Sequence, residues 1–242
     1  MIKKLHTFYV KQTLNPGFLS IFINPFFIIR RGLQAKIKSN ASVISGKILD
    51  FGCGSKPYKH LFNNITEYIG LDIENEGHDH KTEEVDVYYD GKIIPFENSS
   101  FDSVFSSEVL EHVFNVDEML EEINRVIKIN GNLLITVPFV WGEHEIPNDF
   151  GRYTSFGIQY LFEKHGFEVI KIEKNGHFSA VVFQLIILYL HDILFTKNKY
   201  LNIIINFLFI APLTVIGIIL KTIFWGNKSL YFNNIVVAKK IK

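Results

Sequence analysis

The amino-acid sequence predicts an α/β fold with a mostly parallel, seven-stranded sheet and an apolar helical insertion between strands six and seven. From residue 47 onward, short apolar runs that end in glycine, proline or acidic turns alternate with helical stretches. Strands that alternate with helices form parallel sheets. Two apolar segments, residues 178–195 and 201–225, interrupt this alternation and predict the insertion.

Each element has its own signal in the sequence. Residues 117–128 predict a helix on which Glu121 and Arg125 are spaced to pair. The pair Asn130-Gly131 is a predicted stop signal for this helix. Thr154 is a predicted N-cap of a helix reaching His165. The predicted strands, in chain order, are residues 47–51, 68–72, 85–88, 101–106, 132–137, 167–171 and 234–238, with a short helical stretch at 58–62.

Length and composition limit the classes of protein to consider. A chain of 242 residues can bury one sizeable core, so we expect one catalytic domain. The formal net charge of +0 gives no basic surface of the kind that binds nucleic acid. A single cysteine and the lack of a secretory signal predict a reducing, cytoplasmic setting. The predicted parts are an N-terminal extension (1–45), a catalytic domain (46–177), the insertion (178–226) and a last strand (227–242).

A glycine turn and a later acid form the clearest predicted site. The run Asp50-Phe51-Gly52-Cys53-Gly54 follows the first strand directly, and glycines there let the backbone approach a ligand closely. A second acid, Asp72, ends strand two, where α/β cofactor sites place a carboxylate for a ribose diol. Pro57 stands where a dinucleotide fingerprint would have its third glycine, which disfavours a nicotinamide-dependent oxidoreductase.

Several ordered motifs resemble the class I S-adenosylmethionine (SAM)-dependent methyltransferases, and specifically their type 11 group. They are ILDFGCG, YIGLDI, DGKIIPFENSSFD, SSEVLEHV and EEINRVIKINGNLLITVP. The resemblance implies a Rossmann-like three-layer sandwich and SAM as cofactor. It also implies which residues contact the cofactor at its methionine part, its ribose, its adenine or its methyl group. These residues are Asp50, Gly52, Cys53, Gly54, Asp72, Ile73, Asp90, Gly91, Ser107 and Glu108.

Two assignments around this site have alternatives. Asp86 lies on the same predicted strand face as Asp90 and could take its place beside adenine, or either acid could cap a turn. Glu111 and His112 are read mainly as the start of a helix after strand four. Cys53 is read as a packing residue, not a reactive thiol.

The loop after strand five carries the acceptor-side candidates. It reads PFVWGEHEIPNDFGRYT, and loops at this edge of a parallel sheet face the ligand crevice. We take His144 as the base that removes a hydroxyl proton and Arg152 as a second catalytic residue. Alternatively, Arg152 pairs with Asp149 and only holds the loop in place. No metal is expected, because His144 and Glu145 are adjacent and not spaced along one helical face.

The apolar insertion predicts association with a membrane surface. Because it leaves strand six and returns to strand seven of one sheet, both its ends must lie on the same side of a bilayer. A helical hairpin or helices in the interface satisfy this, and Gln184 with His191-Asp192 favour the interface. The apolar run before Arg30-Arg31 could add a contact with anionic lipid. Packing on the sheet or a dimer interface is the alternative.

These observations combine into one leading hypothesis for function. The sequence predicts O-methylation of a lipid-linked, glycan or other amphiphilic small-molecule acceptor by an enzyme peripheral or monotopic at the inner face of the membrane. A non-catalytic SAM-binding or membrane scaffold protein with the same fold is the alternative. The oligomeric state is left open by the sequence.

Overall fold

A computed structural model describes residues 12–13, 15–73 and 84–242 of the chain, which divides into two compact units. The sheet unit comprises Lys36–Glu173 with Asn233–Lys242. The helical unit comprises the segment before Lys36 together with Lys174–Phe232. The segment predicted as a separate N-terminal extension therefore belongs to the helical unit up to Ala35 and to the sheet unit after it.

The described residues form one seven-stranded sheet in the order β3-β2-β1-β4-β5-β7-β6. β1 pairs in parallel with β2 and β4, β2 with β3, and β4 with β5, whereas β7 is antiparallel to β5. The predicted mostly parallel sheet is confirmed. The strands are β1 (Gly46–Phe51), β2 (Ile65–Ile73), β3 (Val87–Tyr89), β4 (Phe101–Ser107), β5 (Ile127–Pro138), β6 (Phe167–Asn175) and β7 (Asn233–Lys240).

The central strands are buried on both faces, which explains their continuous apolar runs. Leu49 of β1, Val104 of β4 and both Leu133 and Ile135 of β5 have no exposed surface. A parallel sheet covered on both faces requires such runs in place of an apolar and polar alternation. The core of the sheet unit is therefore built around β1, β4 and β5, the strands whose carboxyl ends hold the site.

One helix of the sheet unit ends earlier than the sequence predicts. Helix α2 (Val116–Val126) buries an apolar stripe that includes Leu120 and Ile123, and β5 begins directly after it at Ile127. The Asn130-Gly131 pair, predicted as the helix stop, lies inside β5, where Asn130 has φ +65°. The prediction of the stop was wrong because pairing of Phe101 with Ile127 extends β5 backward to the end of the helix.

The ion pair on this helix also differs from the prediction. Arg125 pairs with Glu122 at 2.8 Å, and Glu121 is largely exposed. The Glu122 carboxylate accepts a hydrogen bond from the Ile94 amide at 2.9 Å, and Arg125 donates to the Ile94 and Phe96 carbonyls. Arg125 pairs with Glu122 and not with Glu121 because the Glu122 side chain faces the loop before β4, to which Arg125 also donates hydrogen bonds.

The second helix of the sheet unit has the predicted cap. Thr154 Oγ1 accepts a hydrogen bond from the Gly157 amide at 3.0 Å at the start of α3 (Ser155–Lys164). A threonine at this position satisfies one of the amides that a helix start leaves unpaired. Gly166, with φ +81°, follows the helix as predicted. The short 3-10 helices Ala41–Val43, Lys59–Leu61 and Leu110–His112 also belong to this unit.

The helical unit is held by buried polar side chains as well as apolar packing. Gln184 accepts from the Ile29 amide at 3.3 Å and donates to the Pro25 carbonyl at 2.7 Å. It is fully buried, so its predicted role at a membrane interface was wrong. The helices involved are α1 (Phe27–Asn40, which continues into the sheet unit), α4 (Phe178–Leu194), α5 (Lys199–Ile205) and α6 (Ala211–Ile223), with a π-helical turn at Asn206–Ile210 and a 3-10 helix at Phe18–Phe22.

One continuous helical stretch of this unit is long and apolar enough to cross a membrane. It covers Tyr200–Ile223, 24 residues with a mean hydropathy of 2.7 in its most apolar part, of which 33% is buried. Among the described residues it alone meets this measure of length and composition. Large apolar side chains such as Phe207, Leu208 and Ile219 are more than half exposed. The helical unit thus leaves much of its apolar surface uncovered by its own packing.

We predict that Leu133→Ala lowers the free energy of unfolding of the sheet unit by about 2 to 5 kcal/mol, because it leaves a cavity in a fully buried strand. Ile129→Ala, on an exposed position of the same strand, is the matched control and should change stability by less than about 1 kcal/mol. Urea denaturation of both variants measures the difference, and equal losses would contradict the placement of β5 in the core.

Candidate functional site

Loops at the carboxyl ends of the parallel strands surround a cavity of about 510 Å³ in the sheet unit. Ligands of open α/β sheets bind at this edge, and the volume is in the range of small-molecule sites. Its walls include seven of the predicted cofactor residues and several residues from the loops after β4 and β5. The predicted residues on the wall are Gly52, Gly54, Asp72, Ile73, Asp90, Gly91 and Glu108.

The glycine turn after β1 has the geometry that requires glycine. Gly52 and Gly54 have φ values of +70° and +46°, a region that side chains with a Cβ rarely adopt. A Cβ on Gly52 would lie 2.3 Å from Val109 Cγ2, whereas the Cβ position of Gly54 is open. Gly52 therefore allows the turn to pack, and Gly54 keeps the backbone on the cavity wall accessible to a ligand.

Asp72 connects this turn to the end of β2. Its carboxylate accepts hydrogen bonds from the Gly54 amide and from the Ile73 amide, each at 2.8 Å. These two bonds fix the carboxylate between the glycine turn and the end of β2. The Asp72 carboxylate lies on the cavity wall, where α/β cofactor sites place an acid.

The structure distinguishes the two acids near β3. Asp86 accepts from the Gly70 amide at 2.7 Å and from Lys56 Nζ at 2.6 Å, and it is absent from the cavity wall. Asp90 lies on the wall beside Gly91 and accepts from the amides of Lys92 and Ile93 at 3.0 and 3.3 Å. These backbone hydrogen bonds lower the pKa of Asp90. The position beside the cavity favours Asp90 for the adenine, while it also caps a turn.

Three predicted cofactor residues lie behind the wall and do not line it. Burial raises the pKa of Asp50 to about 7, although the Tyr68 hydroxyl donates to its carboxylate. Burial also raises the pKa of the Cys53 thiol, which agrees with a packing residue. Ser107 shares a hydrogen bond of 2.9 Å with the Thr136 hydroxyl. These side chains support the turn and the strand ends from inside the sheet unit.

Glu108 comes from the end of β4 and is held in an unusual backbone conformation. Its φ is +57°, and its carboxylate accepts from Thr136 Oγ1 at 2.8 Å and from Asn233 Nδ2 at 2.5 Å. Two hydrogen bonds to neighbouring strands fix the carboxylate on the cavity wall. The side chain thereby presents a negative charge at the centre of the row of strand ends.

The loop after β5 is organised around one buried carboxylate. Asp149, whose side chain is 3% exposed, accepts from two nitrogens of Arg152 at 2.5 and 2.7 Å and from the His144 amide at 3.0 Å. The Arg152 guanidinium holds the pKa of Asp149 below its usual range. Neither Arg152 nor His144 lines the cavity. The geometry of Arg152 agrees with the alternative prediction, in which this side chain pairs with Asp149 and holds the loop in place.

Two residues that the sequence reading underrated lie beside this loop. Glu111 is fully buried, and neither carboxylate oxygen has a hydrogen-bond partner. Burial, reinforced by the charge of Glu108, raises its pKa well above the usual value. His112 lines the cavity, and its ring lies 4.7 Å from the ring of His144. Ligand atoms of Glu111, His112 and His144 lie within 4.8 Å of one another. The signal in the sequence was Glu111-His112 close after the end of β4.

The chain matches known proteins over the part that builds this cavity. Residues 49–135 match the family model of a methyltransferase domain, the type 11 group. The match confirms the resemblance that the motifs carry, and it lies wholly in the sheet unit. Residues 49–135 are thus similar to a methyltransferase domain, the class of SAM-dependent enzyme that the motifs resemble.

Two uncharacterised proteins of Methanocaldococcus jannaschii are similar in sequence. MJ0638 is 32% identical over 143 residues, and MJ1252 is 33% identical over 97 residues. The alignments cover 57% and 39% of this chain and span 61% and 38% of the respective relatives. The chain thus spans less than two thirds of the length of either relative.

Solved structures with the same fold include methyltransferases. A SAM-dependent methyltransferase of Archaeoglobus fulgidus has a TM-score of 0.52 at 18% identity, over 86% of this chain and 93% of its own. Phosphoethanolamine N-methyltransferase 2 of Haemonchus contortus, in complex with S-adenosyl-L-methionine, has a TM-score of 0.53 at 21% identity, over 93% of this chain and 56% of its own. At these identities the similarity shows the fold, and the predicted Rossmann-like architecture is confirmed.

We predict that Asp50→Asn removes a pH dependence of stability. The pKa of Asp50 is about 7 in the folded protein, above its value of about 3.9 in an unfolded chain. The protonated form is therefore favoured by folding, and this stabilisation is lost as pH rises from about 4 to about 7. Between pH 5 and 7, wild type should lose roughly 1 to 3 kcal/mol more than Asp50→Asn in urea denaturation. Parallel curves for the two proteins would show that Asp50 is ionised throughout.

Proposed function

We propose that the chain transfers a methyl group from SAM to a hydroxyl of an amphiphilic acceptor, such as a lipid-linked or glycan small molecule. The observation that carries the proposal is the cavity in which the open backbone at Gly54 and the carboxylate of Asp72 lie together. This combination suits a ligand whose ribose diol bonds to the carboxylate while the rest of the ligand passes close to the glycine turn.

The residues on the wall divide by strand order into two groups. Those after β1, β2 and β3 would hold the cofactor, with Asp72 at the ribose, Asp90 and Gly91 at the adenine, and the glycine turn beside the methionine part. SAM supplies a methyl group that its sulfonium already activates. The protein's task is then to fix the acceptor in line with that methyl group, which is catalysis by positioning.

The acceptor would bind beside the loops after β4 and β5. Phe114 and Phe150 stack edge to face there with ring centroids 5.3 Å apart, and His112 and Glu145 add polar groups to the same wall. A wall of this mixed character suits an acceptor with both an apolar part and a hydroxyl. Methylation of a hydroxyl requires loss of its proton, and a histidine side chain of this region would serve as the base.

The helical unit supports an acceptor that is presented at a membrane surface. Its stretch Tyr200–Ile223 is apolar and exposes aromatic and aliphatic side chains over much of its surface. Soluble monomers rarely expose large continuous apolar patches, which mark membrane or protein contacts. Peripheral or monotopic association with a bilayer would bring the enzyme to lipid-linked acceptors.

We predict that Asp72→Ala weakens binding of SAM and of S-adenosylhomocysteine by about tenfold or more, since it removes an acceptor for the ribose. Isothermal titration of the full chain measures both affinities. Asp102→Ala is the matched control, because Asp102 lies at the start of β4, away from the cavity, and should leave both affinities unchanged.

The same titration separates the alternatives. Unchanged SAM affinity in a folded Asp72→Ala protein would remove the ribose assignment, and binding of a nicotinamide cofactor in place of SAM would favour an oxidoreductase. A protein that binds SAM but yields no S-adenosylhomocysteine with a membrane extract would support the non-catalytic reading. Formation of that product, detected by mass, is the result we expect.

We predict that the full chain sediments with vesicles of anionic phospholipid, and that Leu208→Glu combined with Ile219→Glu reduces the bound fraction at least about fivefold. Charged groups on an apolar surface that enters lipid are costly. Phe156→Glu is the matched control, since Phe156 is an exposed aromatic residue of the sheet unit. Equal sedimentation of all three proteins would show that this helical surface has another role, such as dimerisation.

A further inference from the structure

We propose that Glu111, His112 and His144 bind a divalent transition-metal ion, of the chemistry of Zn²⁺ or Mn²⁺, beside the acceptor part of the cavity. Each residue offers one ligand atom, and the three atoms lie within 4.8 Å of one another. The side chains come from two segments, the turn Leu110–His112 after β4 and the loop after β5. No single helix or sequence motif brings them together.

The buried carboxylate of Glu111 is the first observation. It has no exposed surface and no hydrogen-bond partner for either oxygen. Burial of a carboxylate without a partner is unfavourable, so such a group is expected to be protonated or to lie beside a cation. His112 Nε2 lies 3.8 Å from Oε1, which is too far for a hydrogen bond, and the Arg152 charge acts on the carboxylate without a hydrogen bond to it. A metal ion between these atoms would satisfy both.

The orientation of the two histidines is the second, independent observation. His112 Nδ1 lies 2.6 Å from the Asn148 carbonyl oxygen, and His144 Nδ1 lies 3.3 Å from the Gly142 carbonyl oxygen and 3.2 Å from Asp149 Oδ2. A carbonyl or an ionised carboxylate only accepts, so each Nδ1 carries the proton and each Nε2 has a free lone pair. Metal-binding histidines almost always donate their other N–H to a carbonyl or carboxylate in this manner.

The ligand set and its surroundings indicate the kind of ion. Two imidazoles and one carboxylate suit Zn²⁺, Mn²⁺ or Fe²⁺, whereas Mg²⁺ prefers oxygen ligands alone. Three protein ligands leave a coordination position open, as catalytic zinc sites do. His112 lies on the cavity wall together with Glu108 and Glu145, so the open position would face the acceptor.

A metal ion at this site would help the acceptor hydroxyl to lose its proton. This role of the ion rests on the proposed function. A hydroxyl oxygen bound to the ion loses its proton more readily, as metal-bound water does. The O–H bond breaks, the proton leaves to water through the exposed Glu145 carboxylate, and the oxygen forms a bond to the methyl carbon while the sulfur–methyl bond of SAM breaks. The buried Asp149 then acts as a positioning residue for His144.

The test is metal titration of the full chain without a histidine tag, after removal of ions by a chelator. We expect one Zn²⁺ or Mn²⁺ per chain, and at least about tenfold weaker binding in Glu111→Gln, His112→Ala and His144→Ala. His60→Ala, an exposed histidine of the sheet unit, should bind as wild type does. Added Zn²⁺ should also raise the melting temperature of wild type and leave that of Glu111→Gln nearly unchanged.

SAM titration of the same proteins checks that each variant is folded and tests the proposed function separately. No stoichiometric metal binding by wild type, or equal metal affinity in wild type and all three variants, would overturn the metal site. If Glu111→Gln fails to fold, the partly exposed His144→Ala decides the question. Metal binding without SAM binding would support the metal site and contradict the methyltransferase proposal. SAM binding without metal binding would support the methyltransferase proposal and contradict the metal site.

Discussion

The hydrogen bond from the Gly54 amide to the Asp72 carboxylate joins the ends of two neighbouring strands, and the cavity depends on it. β1 and β2 run parallel, so their loops leave the sheet side by side. The bond fixes the glycine turn against the acid that ends β2, and the positive φ of Gly54 makes the amide available to it. A turn held in this way is rigid before a ligand arrives, so binding need not order it.

The opposite side of the cavity depends on charges that the fold buries. Asp149 is buried but fully satisfied, because Arg152 gives it two hydrogen bonds and the His144 amide gives a third. The Glu111 carboxylate is buried without a hydrogen bond to either oxygen. The contrast matters, because a paired buried carboxylate stabilises a loop, whereas an unpaired one is destabilising and is retained where function requires it.

The sequence predicts the sheet and the strand ends that line the cavity after β1 and β2, because both follow from local signals. Glycines after a strand and an acid at the end of the next strand are fixed by the geometry of adjacent parallel strands. The region around the loop after β5 depends on contacts between distant segments, and there the sequence predicts less. The proximity of Glu111 and His112 to His144 joins loops more than thirty residues apart in the sequence, and no spacing within either loop reveals it. The misplaced end of α2 has the same origin, since pairing of Phe101 with Ile127 overrode the local stop signal.

The helical unit is stabilised differently from the sheet unit. Several of its buried polar side chains bond within the unit: Gln184 to Pro25 and Ile29, and Thr214 Oγ1 to the Ile210 carbonyl at 2.9 Å. Hydrogen bonds satisfied internally do not depend on water, so this packing would persist in a lipid environment, where unsatisfied polar groups are most costly. The outer surface of Tyr200–Ile223 is apolar, so it gains stability wherever water is removed from it. Internal hydrogen bonds and an apolar outer helix are together the properties that the proposed contact with a bilayer would use.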